Sequence, residues 1–269
     1  MFEIFDSYGN RHPYQMVKFS GGELQPRINL EVTEEETTPV FTIRASMTEP
    51  SHVVELMLLT DALRRMIGDF GVISLECPYL PYARQDRVCF PGESLALKVM
   101  CDIVNSLGFS IVIVWDVHSD VSLALLDRVH NKKQHHFYRR IPWTNTVLVA
   151  PDAGAMKKTL EAAKELGLPM VRADKIRSAD TGEITGTVVY SEHIGDRDFL
   201  IADDICDGGR TFIELAKVLR PLTNGKIYLY VTHGIFSKGL DVFNGLIDGV
   251  YTANPFPGVD LNHKLLTVI

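Results

Sequence analysis

The fold is decided by the stretch FLIADDICDGGRTF, residues 199–212. Its first four residues, Phe199 to Ala202, are all apolar and predict a buried strand, with Asp203 and Asp204 at its carboxyl end. A pair of glycines then predicts a turn, and from Arg210 onward the apolar residues recur at helical spacing. The stretch therefore predicts a strand, a glycine-containing turn and a helix.

This turn has the chemistry of a phosphate site. The backbone N–H groups of Gly208 and Gly209 would converge on one spot, where the amino end of a helix adds partial positive charge. Thr211 can add a hydroxyl, and the two carboxylates before the turn can accept hydrogen bonds from sugar hydroxyls. The pattern favours a ribose phosphate as the ligand, although an acidic strand end followed by an ordinary turn gives the same short motif.

The composition is that of a globular protein with ample core. The 269 residues suffice for two domains of ordinary size, and 46% of them are apolar. The net charge of −7 disfavours nucleic-acid binding, which needs a basic face. The four cysteines form neither a CxxC pair nor a Cys/His cluster, so we expect buried thiols in a reducing compartment. With no signal peptide and no long apolar run, we expect a cytoplasmic protein without a membrane segment.

A second polar cluster follows the predicted strand 72–77. The rigid run Pro78-Tyr79-Leu80-Pro81 ends that strand, and the residues after it are Arg84, Gln85, Asp86 and Arg87. Two arginines and an amide can hold a triphosphate and an adenine edge, because guanidinium presents a planar fork to phosphate. A surface cluster of salt bridges is the alternative interpretation.

Five motifs together resemble those of the ribose-phosphate pyrophosphokinases, the PRPP synthetases. They are FSGGE at 19–23, PYARQDR at 81–87, DVH at 116–118, PDAG at 151–154 and the stretch at 199–212. Strand–helix alternation by itself indicates an α/β protein. The resemblance, which covers the chain from about Lys18 to its end, implies two tandem phosphoribosyltransferase-like domains with mainly parallel sheets. We predict a domain with ATP-binding motifs over 1–136 and one with the ribose-phosphate loop over 137–269, in a shortened and divergent family member.

The resemblance also implies which residues form the site. For ATP they are Arg84, Gln85 and Asp86, with Phe19 and Glu23 reaching a neighbouring subunit's nucleotide. For catalysis they are Lys175 and Arg177, on a mobile flap from Asp174 to Gly186, together with His118. For Mg²⁺, the implied cofactor, they are His118 and Asp152. For the ribose phosphate they are Asp203, Asp204, Asp207, Gly208, Gly209, Arg210 and Thr211.

The implied reaction is Mg²⁺-dependent transfer of the pyrophosphoryl group of ATP to the anomeric hydroxyl of ribose 5-phosphate. Its products are phosphoribosyl pyrophosphate and AMP, and the implied assembly is a dimer-based homo-oligomer such as a hexamer. The family's phosphate loop usually reads Asp-Thr-Ala-Gly-Thr, so this chain loses a hydroxyl at Gly208 and gains a cation at Arg210. ADP-ribose, the acceptor of phage-type relatives that rebuild NAD, therefore stays open as an alternative acceptor.

Two other classes are less favoured. A phosphoribosyltransferase would need no ATP site, which the cluster from Arg84 to Arg87 argues against. A non-catalytic subunit would lose the flap cations, yet Lys175 and Arg177 are present.

Two further segments carry expectations. Residues 88–93 lack the cations that bind regulatory anions in the family, so we expect weak or absent regulation by ADP. Residues 131–143 are polar and basic and include His135 and His136, and we predict a solvated linker there rather than a metal site.

Overall fold

The computed structural model describes residues 2–30, 38–68, 70–139, 141–177 and 184–269. The chain forms two compact units, Met1–Lys132 and Lys133–Ile269. Each unit is built on a sheet whose strands are mainly parallel, which confirms the predicted α/β fold class.

The first unit has a six-stranded sheet with the order β2-β1-β5-β6-β7-β8, in which β5 to β8 are parallel. Its strands are β1 Phe2–Asp6, β2 Arg11–His12, β3 Tyr14–Lys18, β4 Leu24–Ile28, β5 Val40–Ala45, β6 Val72–Cys77, β7 Val112–Trp115 and β8 Val129–Lys132. Its helices are α1 Ser51–Ile67, α2 Ala96–Ser106 and α3 Val121–Leu125. Strands β3 and β4 form a separate hairpin. Helix α1 packs on the core because Leu56, Leu59 and Leu63 recur on one face and are fully buried.

The second unit has a seven-stranded sheet with the order β11-β10-β9-β12-β13-β14-β15. Its strands are β9 Thr146–Ala150, β10 Met170–Arg177, β11 Ile184–Val189, β12 Asp198–Cys206, β13 Ile227–Gly234, β14 Gly249–Pro255 and β15 Leu266–Val268. Its helices are α4 His135–Tyr138, α5 Met156–Leu166 and α6 Arg210–Leu219, with 3₁₀ turns at Arg220–Leu222 and Asp241–Phe243. Strand β9 is buried along its whole length, as expected of a parallel strand covered on both faces.

The central strand is longer than the sequence predicted. Strand β12 continues through Asp203 and Asp204 to Cys206, which pairs with Gly234 of β13. The two carboxylates therefore lie inside the strand and not after it. Pairing with β13 extends the strand, which the apolar run alone does not reveal.

The predicted mobile flap is corrected at both of its edges. Strand β10 runs through Asp174 to Arg177, and Lys175 pairs antiparallel with Thr187 of β11. Strand β11 already begins at Ile184, three residues before the predicted start. Residues 178–183 of the predicted flap lie outside the described residues. The strand pairing was not predicted because these residues are polar. Backbone hydrogen bonds between strands do not require apolar side chains.

The prediction of a solvated linker at 131–143 is wrong. Tyr138 is fully buried and its ring centroid lies 4.4 Å from that of Tyr230. The indole N–H of Trp143 donates a hydrogen bond to the Tyr138 carbonyl at 2.9 Å, and its ring meets Tyr251 edge-on at 5.3 Å. A few aromatic side chains among polar ones fasten this segment to the sheet, because each buries a large apolar area.

Candidate active site

The turn between β12 and α6, residues 207–211, is called here the acceptor turn. Gly209 has φ +78°, and a Cβ there would lie 2.7 Å from Cζ of Phe243, so backbone and packing both require glycine. In the described part of the chain, the N–H groups of Gly208, Arg210 and Thr211 have no acceptor, and no side chain caps α6. These donors and the helix dipole make a position suited to an anion.

The carboxylate of the acceptor turn is held by the loop after β13. The Ser237 hydroxyl donates to Oδ1 of Asp207 at 2.6 Å, and the Ser237 N–H donates to the Asp207 carbonyl at 3.1 Å. Ser237 lies in the loop after β13, so a neighbouring strand controls the direction of this carboxylate. Among the described residues, no side chain caps the amino end of α6.

The carboxylates of β12 lie in an acidic environment. Asp204 is buried, with Oδ2 3.6 Å from Nζ of Lys158 on α5, and its N–H donates to Oδ1 of Asp203 at 2.9 Å. The pKa of Asp203 is raised well above its ordinary value, first because the carboxyl is buried and then because Asp204 and Asp152 are close. Such a pair can accept hydrogen bonds from a vicinal diol or compensate a cation.

Asp152 closes the turn between β9 and α5. Its Oδ1 accepts the N–H of Ala155 at 3.1 Å, and a Cβ on Gly154 would lie 3.3 Å from the same oxygen. Among the residues that the structure describes, no group of three or more His, Cys, Asp or Glu side chains could hold a metal ion by itself. The acidic neighbours nevertheless fit Mg²⁺, which proteins often bind through one or two carboxylates while substrate phosphates supply further ligands.

The first unit contains a pocket of about 500 Å³ at the end of β6. Three of the five predicted ATP-binding residues line it, and the lining continues into the next loop. The lining residues are Arg84, Gln85, Asp86, Arg87, Cys89, Glu93 and Ser94. Arg87 holds the carboxylate of Asp86 with Nε at 2.8 Å and Nη2 at 3.2 Å. These bonds lower the pKa of Asp86 to about 2, with smaller contributions from Ser119 and His118. The structure thus brings His118, predicted from a separate motif, close to the arginine cluster.

Backbone strain marks two of the predicted motifs in the first unit. Tyr82 has φ 63° and Asp116 has φ 40°, both in the left-handed region that residues with a Cβ rarely adopt. Asp116 directly follows β7, whereas Tyr82 lies five residues after the end of β6, and each belongs to one of the predicted motifs. Strain of this kind concentrates at functional sites.

The hairpin of β3 and β4 presents Phe19 and Glu23 at its tip. The Phe19 N–H donates to the Glu23 carbonyl at 2.9 Å, and Gly22 with φ +97° closes the turn. The Phe19 side chain is 51% exposed, so it is not a core aromatic. Its exposure is what a contact with another molecule requires.

The loop at 88–93 is organised by an acidic side chain. Oε2 of Glu93 accepts hydrogen bonds from the N–H groups of Cys89 at 2.9 Å and Phe90 at 3.1 Å. Sequence reasoning noticed the missing cations of this loop but did not predict this carboxylate cap.

Two predicted catalytic residues and three residues without a sequence motif complete the set of candidates. The side chains of Lys175 and Arg177 lie outside the described residues, so their catalytic role stays a prediction. Sequence reasoning missed Lys158, Ser237 and Lys238, which come from α5 and the loop after β13. No motif marks them, because only the parallel packing of neighbouring strands brings them to the carboxylates and the acceptor turn.

Two family models each match one part of the chain. The model of the N-terminal domain of ribose phosphate pyrophosphokinase matches residues 6–108, and the phosphoribosyl transferase domain matches 124–240. The chain belongs to the ribose-phosphate pyrophosphokinase family. Curated ribose-phosphate pyrophosphokinases are similar along most of its length. The one from Ureaplasma parvum is 28% identical over 84% of this chain and 69% of the relative. The one from Pyrococcus furiosus is 28% identical over 90% and 86%.

A solved structure supports the pyrophosphokinase fold. The phosphoribosylpyrophosphate synthetase from Mycobacterium smegmatis superposes with a TM-score of 0.75 over 97% of this chain and 87% of the other. At 20% identity this likeness establishes the fold alone. In the described residues, every helix is too short or too polar to cross a membrane.

Proposed function

We propose that this chain transfers the pyrophosphoryl group of ATP to ribose 5-phosphate. The anomeric oxygen of the sugar forms a bond to the β-phosphorus, and the bond from that phosphorus to the oxygen bridging the α-phosphate breaks. AMP leaves, the anomeric hydroxyl loses its proton, and phosphoribosyl pyrophosphate is formed. This proposal rests on the finding that the same chain contains the family's N-terminal domain and a phosphoribosyl transferase domain.

The arginine pocket of the first unit supports the same conclusion. A phosphoribosyltransferase displaces the pyrophosphate that its sugar substrate already carries. It therefore needs no binding site for a nucleoside triphosphate. Arg84 and Gln85 line a pocket of about 500 Å³, where a guanidinium and an amide can bind phosphate and base. Arg87 fixes Asp86 beside them, so the pocket keeps its charge pattern before the nucleotide binds.

The acceptor sugar is assigned to the second unit. Asp203 and Asp204 accept hydrogen bonds from the ribose hydroxyls, and Lys158 balances part of their charge. The N–H groups of Gly208, Arg210 and Thr211 surround the 5′-phosphate, because these donors have no acceptor in the described chain. Burial of Asp204 limits the competition of water for the sugar at this carboxylate.

Phosphoryl transfer gathers negative charge at the reacting phosphorus, and cations must compensate it. We assign that role to Lys175 and Arg177 at the end of β10. Asp152 and His118 would hold Mg²⁺, which supplies charge neutralisation and orientation of the phosphates when bound. Phe19 and Glu23 would contact the nucleotide of a neighbouring subunit in a homo-oligomer.

The test is a product analysis of the full chain with MgATP and either ribose 5-phosphate or ADP-ribose. We expect AMP to form with ribose 5-phosphate, at a rate that Lys175→Ala lowers on the order of 10²–10³-fold while acceptor affinity changes little. ADP as the nucleotide product would contradict pyrophosphoryl transfer. A wild-type kcat/KM for ADP-ribose tenfold or more above that for ribose 5-phosphate would replace the acceptor in this proposal. No AMP with either acceptor would indicate a non-catalytic subunit.

A further inference from the structure

Lys238 lies beside the acceptor turn, in the loop that follows β13. Its side chain is exposed. In the part of the chain that the structure describes, its ammonium has neither a hydrogen-bond partner nor an ion-pair partner, and the same holds for the guanidinium of Arg210. Within the described residues, one cation without a partner therefore lies in the acceptor turn and a second lies beside it.

The loop that carries Lys238 is fastened to the acceptor turn. Ser237 makes two hydrogen bonds to Asp207, one through its hydroxyl and one through its N–H. A Cβ placed on Gly208 would lie 3.5 Å from Cγ of Lys238 and 3.8 Å from Oγ of Ser237. The stem of Lys238 thus packs against Gly208, and the ammonium extends beyond it from a fixed base.

The acceptor turn lacks a side chain where the lysine approaches it. Gly208 contributes an N–H group alone, so one part of a bound anion would face no side-chain donor from the turn. A phosphate monoester carries about two negative charges near neutral pH and has three oxygens to satisfy. An ammonium on a flexible stem supplies charge and rotatable donors to such an oxygen.

We propose that Lys238 is a specificity-determining residue whose ammonium binds the 5′-phosphate of the acceptor, in place of a side chain at position 208. The inference rests on the proposed function, because that function puts the 5′-phosphate on the acceptor turn. It defines the acceptor class as a ribose with a phosphate on its 5′ carbon. Ribose without that phosphate gains nothing from this lysine.

Calorimetric titration of the full chain with ribose 5-phosphate tests the contact directly. Lys238→Met keeps the stem and removes the charge, so we expect the dissociation constant to rise roughly ten- to hundredfold. Lys217→Met is the matched control, since Lys217 is exposed on α6 and pairs with Glu214, and we expect less than a threefold change. Equal affinities of wild type and Lys238→Met would overturn the proposal.

A second variant separates a phosphate contact from a packing role. Gly208 lies outside the left-handed region, and its added Cβ would make ordinary van der Waals contacts, so Gly208→Thr has room. In the Lys238→Met background, the new hydroxyl should recover part of the lost affinity, and Lys238→Arg should retain most of it. Failure of both to bind better than Lys238→Met would contradict a phosphate contact.

Product analysis keeps the two proposals apart. If wild type releases no AMP but still binds ribose 5-phosphate through Lys238, the proposed function fails and the assignment of Lys238 stands. If AMP forms and Lys238→Met leaves both binding and KM unchanged, the assignment of Lys238 fails alone.

Discussion

Two turns of the second unit have the same strand–turn–helix arrangement but differ in the hydrogen-bond partner of their own aspartate. Each joins a central parallel strand to a helix, one from β9 to α5 and the other from β12 to α6. In the first, Asp152 accepts the N–H of Ala155 and closes the turn. In the second, Ser237 holds Asp207, and within the described residues the N–H groups of Gly208, Arg210 and Thr211 have no acceptor.

The difference indicates how a strand–turn–helix unit can offer its N–H donors to an anion: its own carboxylate is engaged elsewhere. A carboxylate inside the turn competes with phosphate for the same N–H donors and repels it. The turn after β9 therefore suits a cation, and the turn after β12 suits an anion. A sugar phosphate that binds together with a metal ion needs both kinds of site.

The largest effect should come from the glycine that shapes the acceptor turn. Gly209→Ala places a residue with a Cβ at a left-handed backbone position, and this Cβ would clash with the ring of Phe243. We expect the free energy of unfolding to fall by about 2–5 kcal/mol. Gly154→Ala is the control in the other turn, where φ is ordinary and the nearest atom is 3.3 Å away, so a fall under about 1 kcal/mol is expected. Urea denaturation measures both. Equal losses would mean that the two turns are sterically equivalent.

The next effect concerns the direction of Asp207. Ser237→Ala removes the hydroxyl that holds Oδ1 of Asp207 and lets this carboxylate turn towards the amino end of α6. We expect ribose 5-phosphate to bind about tenfold more weakly, since a helix cap contributes ~1 kcal/mol and adds charge repulsion. Titration calorimetry measures the change. Adding Asp207→Asn to Ser237→Ala removes the competing charge and should restore part of the affinity. An unchanged dissociation constant in Ser237→Ala would break the comparison.

A smaller effect follows from the raised pKa of Asp203. The folded state holds this proton more tightly than the unfolded state, so the free energy of unfolding should fall as pH rises from the ordinary carboxyl pKa of about 4 towards the raised one. Asp203→Asn should remove that fall and raise the Tm of the ligand-free protein near neutral pH by about 2–4 °C. Asp152→Asn should act in the same direction, and Asp207→Asn should not. Calorimetric scans from pH 5 to 8 would contradict this if Asp203→Asn lowered the Tm at pH 8.

The smallest effect is expected at a third turn. Glu93 caps the N–H groups of Cys89 and Phe90, as Asp152 caps the N–H of Ala155, so these two donors of the loop at 88–93 are already engaged. ADP should therefore inhibit by competing with ATP alone, and saturating ATP should abolish the inhibition. Initial-rate kinetics check this, and inhibition that persists at saturating ATP would reveal a separate regulatory site.

The sequence by itself determined the fold class and the chemistry of the main motifs. Apolar runs such as Phe199 to Ala202, followed by glycine and helical spacing, specify strand, turn and helix through local burial and backbone preference. The arginine cluster at 84–87 and the glycine pair at 208–209 are recognisable because adjacent residues supply the functional groups.

Only the tertiary structure decided which groups are free to act. The length of β12, the ladder at 174–177 and the packing of Tyr138 depend on pairing with distant segments, which local sequence does not encode. The same holds for Ser237 and Lys238, which lie about 30 residues from the turn that they serve. Parallel strands bring their carboxyl ends to one edge of the sheet across long crossovers, so the partners of a site residue come from another loop.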